Sequence, residues 1–223
     1  MKKIIPVFFL SLMSFINPPK KLKVIFLGDS ITQAGILPNG YITKLDSLIQ
    51  QQGLSDKYQL AGAGVSGNKV YDLYLRLETD VLDKNPDVVV IYVGVNDVWH
   101  KTTSGTGTDP DKFEKFYRAI IKKIQEKNSK VIICTPALIG EKNDWSNQQD
   151  GDLNRYSNII RNIAQTMNLP LVDLRKATTT YLLNNNPNNT AKGIITTDGV
   201  HLTPFGNIMV AQQIWETLYA NTK

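Results

Sequence analysis

Ser30 stands in Gly28-Asp-Ser-Ile-Thr32, directly after the apolar run Lys23-Val-Ile-Phe-Leu27. Gly28 permits a tight turn, and a hydroxyl presented there is a candidate nucleophile. Taken alone, a serine after a strand is more often a helix cap. Near the C-terminus, Asp198-Gly-Val-His201 precedes Leu-Thr-Pro204. An acid and an imidazole at this spacing can share one turn. The carboxylate then accepts from one ring nitrogen and leaves the other as a base. The other histidine, His100 in Val98-Trp-His-Lys101, lacks an orienting acid at such spacing and is read as structural, although Asp97 lies nearby. Asn96, in Gly94-Val-Asn-Asp97, carries an amide that can donate to a developing oxyanion; as a turn residue it would need no such role. Gly67, in Gly62-Ala-Gly-Val-Ser-Gly67-Asn68, can turn its backbone N–H into the same space. A nucleophile, two oxyanion donors and a base–acid pair are together the parts required for acyl transfer from an ester.

Other residues at these loops have plainer readings. Asp29 and Asp97 are expected to accept backbone N–H bonds rather than take part in chemistry. Residues 62–67 match G-x-G-x-x-G, a dinucleotide fingerprint. That fingerprint belongs to the first strand–helix turn of a dinucleotide fold, whereas here it comes after the second strand. The third strand also lacks a terminal acid to hold a ribose. Tyr41, Trp99 and Trp145 are read as partly buried packing residues, with a place in a substrate cleft as the alternative.

The elements that must carry these residues can be read from periodicity. Continuous apolar or β-branched runs predict strands at residues 23–27, 58–61, 87–93, 130–134 and 169–174. Helical spacing of apolar residues predicts helices at 41–51 and 70–82. It predicts another from Asp109-Pro110, with Phe113, Phe116, Ile120 and Ile124 facing inward, and another at 153–167. A last helix starts at Thr203-Pro204, with Ile208, Ala211, Trp215 and Leu218 inward. Residues 102–108 and 178–197 read as polar loops. Strands alternating with helices imply an α/β fold with a parallel sheet covered on both faces. Right-handed crossovers bring every strand's C-terminal end to one edge, which is where ligands bind. Ser30, Gly67 and Asn96 each come just after a strand and so reach that edge.

Composition narrows the setting. The chain has 223 residues, 42% hydrophobic and 20% charged, which suits one globular domain. The net charge of +5 is matched by Lys2, Lys3, Lys20, Lys21 and Lys23 alone. No basic stripe with interleaved aromatics is present, so nucleic acid is not an expected partner. One cysteine and two histidines cannot fill a structural zinc site, and no metal or organic cofactor is expected. Cys134, in an apolar strand, reads as an inert core thiol. Lys2-Lys3 and the apolar stretch 4–16 resemble a signal peptide, too short for a stable membrane span and without an A-x-A cleavage site. The expectation is a leader over residues 1–20, a single domain over 21–223 and an extracytoplasmic location. An uncleaved anchor or a disordered leader is the alternative.

In order along the chain, Gly28-Asp-Ser-Ile-Thr32, Gly67-Asn68, Gly94-Val-Asn-Asp97 and Asp198-Gly-Val-His201 resemble the four blocks of the SGNH, or GDSL-type, hydrolases. The first block has Ile31 where the family pattern has leucine. The resemblance implies a flavodoxin-like three-layer α/β/α sandwich with a five-stranded parallel sheet. It implies Ser30 as nucleophile, His201 as base and Asp198 as orienting acid. It implies an oxyanion hole from the N–H groups of Ser30 and Gly67 and the side chain of Asn96. No G-x-S-x-G elbow is present, which separates the chain from the α/β-hydrolases. The expected activity is hydrolysis of a carboxylic ester through an acyl-enzyme, with a short-chain or O-acetyl ester of a carbohydrate favoured. Lysophospholipase or thioesterase activity is the alternative. Dinucleotide-dependent oxidoreduction and non-catalytic carbohydrate binding are remoter ones. Acyl length, alcohol part and oligomeric state are left open.

Overall fold

The computed structural model describes residues 20–223. The leader expected over residues 1–20 therefore lies outside the described residues, apart from Lys20.

Five parallel strands form one sheet: β1 (Leu22–Gly28), β2 (Tyr58–Gly64), β3 (Val88–Tyr92), β4 (Lys130–Cys134) and β5 (Leu171–Val172), in the order β2-β1-β3-β4-β5. This is the flavodoxin-like order, whose topological switch lies between β1 and β3. Val24 pairs with Val88 and Gly28 with Tyr92, so the two strands end level. The segments leaving β1 and β3 therefore emerge side by side.

Side chains alternate across the sheet. Val24, Phe26, Val88, Val90, Ile132 and Cys134 pack on one face, beneath α1 (Ser30–Gly35), α2 (Tyr41–Gln51), α7 (Leu174–Asn185) and α8 (Pro204–Thr222). Ile25, Leu27, Val89, Ile91, Val131 and Ile133 pack on the other, beneath α3 (Val70–Asp80), α5 (Pro110–Glu126) and α6 (Asp150–Thr166). The result is the three-layer α/β/α sandwich expected from the sequence. α4 (Val95–Thr103) leaves the C-terminal end of β3 and divides its apolar residues, Val95 to one layer and Val98 to the other.

Several local expectations change. Residues 174–185, mostly assigned to a polar loop, form α7. Asp173 caps it by accepting the N–H of Lys176 at 3.1 Å, and that exit shortens β5 to two residues. Arg175 is buried against Asp150 at 2.6 Å and also donates to the Ala137 carbonyl, so α7 is held by partners distant in sequence. In α5 the fully buried aromatics are Phe113 and Tyr117; Phe116 lies half-buried against Tyr71 and Tyr74. In α8, Val210 and Ile214 take the inward face with Ala211, Trp215 and Leu218, and Ile208 is exposed. Cys134 is free and buried, and burial pushes its thiol up. Among the described residues, no helix is long and apolar enough to cross a membrane.

Candidate active site

Ser30 is the first residue of α1. Asp29, its N-cap, accepts the N–H of Ile31 at 3.0 Å. Position 28 must be glycine because a Cβ there would stand 2.2 Å from Thr32 Oγ1 and 2.5 Å from the Tyr92 carbonyl. The close approach of β1 to β3 thus fixes where the serine is presented.

His201 and Asp198 sit on the loop before α8. Asp198 Oδ1 accepts the N–H groups of Val200 at 2.9 Å and His201 at 2.8 Å, while Oδ2 faces His201 Nδ1 at 2.7 Å. His201 Nε2 lies 3.0 Å from Ser30 Oγ. Partial burial pushes the Asp198 carboxyl up, but the His201 ring and the two N–H groups outweigh it and hold the carboxyl below the usual range. An ionised Asp198 keeps the proton of His201 on Nδ1, which leaves Nε2 free to accept from the serine hydroxyl.

The oxyanion candidates sit on the segments that follow β1, β2 and β3. Gly67 has φ +76°, a conformation that turns the chain between β2 and α3 at little cost only for glycine. Asn96 is buried in the first turn of α4, and its Nδ2 donates one N–H to the Asn68 carbonyl at 3.1 Å. Its second amide N–H has no partner among the described residues.

The glycines of the G-x-G-x-x-G match have local causes. A Cβ at Gly62 would strike Ile36, and one at Gly64 would lie 2.1 Å from the backbone nitrogen of Gln33. They admit α1, so their spacing needs no pyrophosphate. Asp97, the acid nearest the end of β3, is fully buried and accepts the N–H of Val70 at 3.2 Å, so it does not reach out toward a ribose. Burial pushes Asp97 up to about 7 and Asp29 up to about 6, each against the backbone N–H it accepts. Of the three aromatics weighed for a cleft, Tyr41 is buried and hydrogen-bonded to Thr32, and Trp145 is exposed on a loop. Trp99 stands edge-on to His201, ring centres 6.5 Å apart.

Two supporting residues escaped the sequence reading. Arg76 of α3 donates to the Gly28 carbonyl at 2.7 Å, the Ala63 carbonyl at 3.0 Å and Asn68 Oδ1 at 2.7 Å, and pairs with Asp80. One guanidinium thereby ties the segments carrying Ser30, Gly67 and the Asn96 partner. Its one sequence signal was a cation three residues after the buried Leu73. Glu141, fully buried after β4, accepts the N–H of Ile194 at 2.9 Å, of Ile195 at 2.8 Å and of Thr196, as well as the Thr196 hydroxyl at 2.6 Å. Beside it the Gly140 N–H donates to the Gly199 carbonyl at 2.8 Å. Together they clamp the loop that bears Asp198 and His201. No local signal could reveal Glu141, since its partners lie 53 to 55 residues further on.

A flavodoxin-like α/β sandwich with an aligned serine, histidine and aspartate at its switch point belongs to the class of carboxylic ester hydrolases. Residues 26–207 match the model of the GDSL-like Lipase/Acylhydrolase family, and the chain belongs to that family. It is similar to the crystal structure of an acetyl xylan esterase, AlAXEase, with 61% identity and a TM-score of 0.86 over 87% of this chain and 98% of that one. It is 27% identical to an acetylxylan esterase of Geobacillus stearothermophilus, over 85% of this chain and 90% of that protein. An uncharacterized lipoprotein of Bacillus subtilis, YqeF, is 26% identical over 70% of this chain and 71% of that protein.

Proposed function

We propose that this chain removes acetyl groups from xylan or xylo-oligosaccharides, using Ser30, His201 and Asp198 as its triad. The observation that carries the chemistry is the unbroken line from Ser30 Oγ through the His201 ring to Asp198 Oδ2, at 3.0 and 2.7 Å. The substrate is supported by the 61% identity to an acetyl xylan esterase over nearly all of that protein.

In the proposed reaction Nε2 of His201 takes the Ser30 proton as Oγ attacks the acetyl carbonyl. Asp198 holds the ring tautomer and stabilises the imidazolium. The oxyanion is met by the N–H groups of Ser30 and Gly67 and by the free N–H of Asn96. Collapse expels the sugar hydroxyl, which receives its proton from His201 Nε2. Water, activated by the same nitrogen, then releases acetate from the acyl-serine.

In the same reading, residues 1–20 are an export leader and 21–223 the working domain, outside the cytoplasm. The resemblance to a lipoprotein supports that location. The test of function measures acetate released from acetylated xylo-oligosaccharides, beside aryl acetate and aryl octanoate esters. Release from the saccharide and a steep preference for acetyl over octanoyl are expected. Preference for the octanoyl ester would favour lipid or thioester substrates. The N-terminal sequence of protein recovered outside the cytoplasm tests the leader; an intact Met1 on cytosolic protein contradicts it.

A further inference from the structure

The base of this site must hand its proton to the departing alcohol, so whatever borders His201 borders the sugar. The bordering side chain is Trp99, edge-on to the imidazole with ring centres 6.5 Å apart. Trp99 and His100 lie three and four residues after Asn96 on α4, which puts both on the helix face that bears the amide, one turn further out. Their rings are neighbours, 5.9 Å between centres. The Cε1 atom of His100 is 3.9 Å from where a Cβ on Gly67 would stand. The two rings therefore form a continuous wall, running from the base to the loop of the glycine oxyanion candidate. Both are half-buried, each with part of its surface open to solvent.

The backbone that carries the two rings is anchored. The Trp99 carbonyl accepts from Gln149 Nε2 and from the Thr102 hydroxyl, and the His100 carbonyl accepts the N–H groups of Ser104 and Thr106. The His100 ring itself makes no hydrogen bond among the described residues. Partial burial and the nearby Lys69 ammonium hold it below the ordinary histidine value, so at neutral pH it keeps one N–H donor and one bare acceptor nitrogen. A flat apolar ring beside a free donor–acceptor pair matches the two surfaces of a pyranose, its C–H face and its hydroxyl rim.

We infer that Trp99 and His100 form the sugar-binding wall of the site, with the leaving xylopyranosyl unit stacked on Trp99 and one of its hydroxyls hydrogen-bonded to His100. The inference deepens the acetylxylan-esterase reading and rests on it. Neither residue enters the bond-making steps; they set which alcohol is accepted.

The test uses unacetylated xylotriose as a competitor of aryl acetate hydrolysis, which needs no acetylated saccharide to be a substrate. Competitive inhibition of the wild-type chain is expected. Trp99→Ala and His100→Ala should each weaken the inhibition constant about tenfold. Trp99→Phe and His100→Gln, which keep a ring or a donor–acceptor pair, should lose less and serve where an alanine variant fails to fold. No inhibition of the wild type, or an unchanged constant in all four variants, overturns the wall. Failure to release acetate from acetylated xylo-oligosaccharides, with xylotriose competition intact, would instead remove the proposed substrate and leave the wall standing.

Discussion

Asn96 donates one amide N–H to the carbonyl of Asn68 at 3.1 Å, which fixes the orientation of its amide in the first turn of α4. In the proposed oxyanion role this means an amide held in place before any substrate arrives, which is what makes such a donor effective. Asn96→Ala should lower kcat by about 10²–10³ while leaving KM nearly unchanged. Steady-state kinetics on an aryl acetate would check this; a loss expressed mainly in KM would mean that Asn96 binds substrate rather than the transition state.

Arg76 holds the ends of β1 and β2 and the Asn68 side chain together from one guanidinium that is largely buried. Arg76→Ala leaves two carbonyls and an amide oxygen without this donor. The expected loss is about 2–3 kcal/mol of stability, with a fall in kcat of at least about tenfold. Arg76→Lys should recover part of the stability and less of the rate, because an ammonium lacks the planar fork that spans three acceptors. Urea unfolding and kcat on the two variants separate these effects.

Glu141 satisfies three consecutive backbone N–H groups that precede the Asp198–His201 turn. In Glu141→Gln an amide NH2 replaces one acceptor oxygen and meets N–H donors. We expect a kcat well below wild type, with little change in KM and native circular dichroism, since the loop shifts while the fold persists. Slower labelling of Ser30 by a fluorophosphonate in parallel with kcat would locate the defect in nucleophile activation. A raised KM with normal labelling would contradict a positioning role for Glu141.

Asp97 ionises near 3.8 when exposed and at about 7 in the folded chain, because burial disfavours its charge. Its folded state thus prefers the protonated form. The stability this group contributes is complete below about pH 4 and is lost as pH rises through about 7. Three pH units correspond to at most about 4 kcal/mol. Asp97→Asn, which can still accept from Val70, should melt close to wild type at pH 4 and progressively above it toward pH 8. A melting difference that does not change with pH would show that Asp97 ionises in the fold at its ordinary exposed value.

The parts of this architecture that were legible in the sequence are those whose determinants are local. Continuous β-branched runs such as Val88–Tyr92 can only be buried strands, and each of the four motif blocks is a few consecutive residues at a strand end or before α8. The approach of Ser30 to His201 is a matter of topology once those strands are parallel. What escaped depends on distant partners. α7 carries Thr178, Thr179, Thr180, Asn184 and Asn185 and shows little helical patterning; its stability comes from Asp173 and from the buried Arg175–Asp150 pair. Arg76 and Glu141 looked like ordinary charged residues because every group they hold apart from Asn68 and Asp80 comes from a different element. His100 was read as structural for want of an acid partner, a sound reason to deny it the role of base but silent on contacts with a sugar.

The proposed chemistry stands or falls on the activation of Ser30 by His201, 3.0 Å away across 171 residues of sequence. Peptide mapping after brief exposure to a fluorophosphonate, on the wild-type chain and on His201→Ala, reads that activation out. A single adduct on Ser30 is expected in the wild type, formed at least about a hundredfold faster than in the histidine variant. Labelling at any other residue, or equal rates in the two proteins, would contradict it.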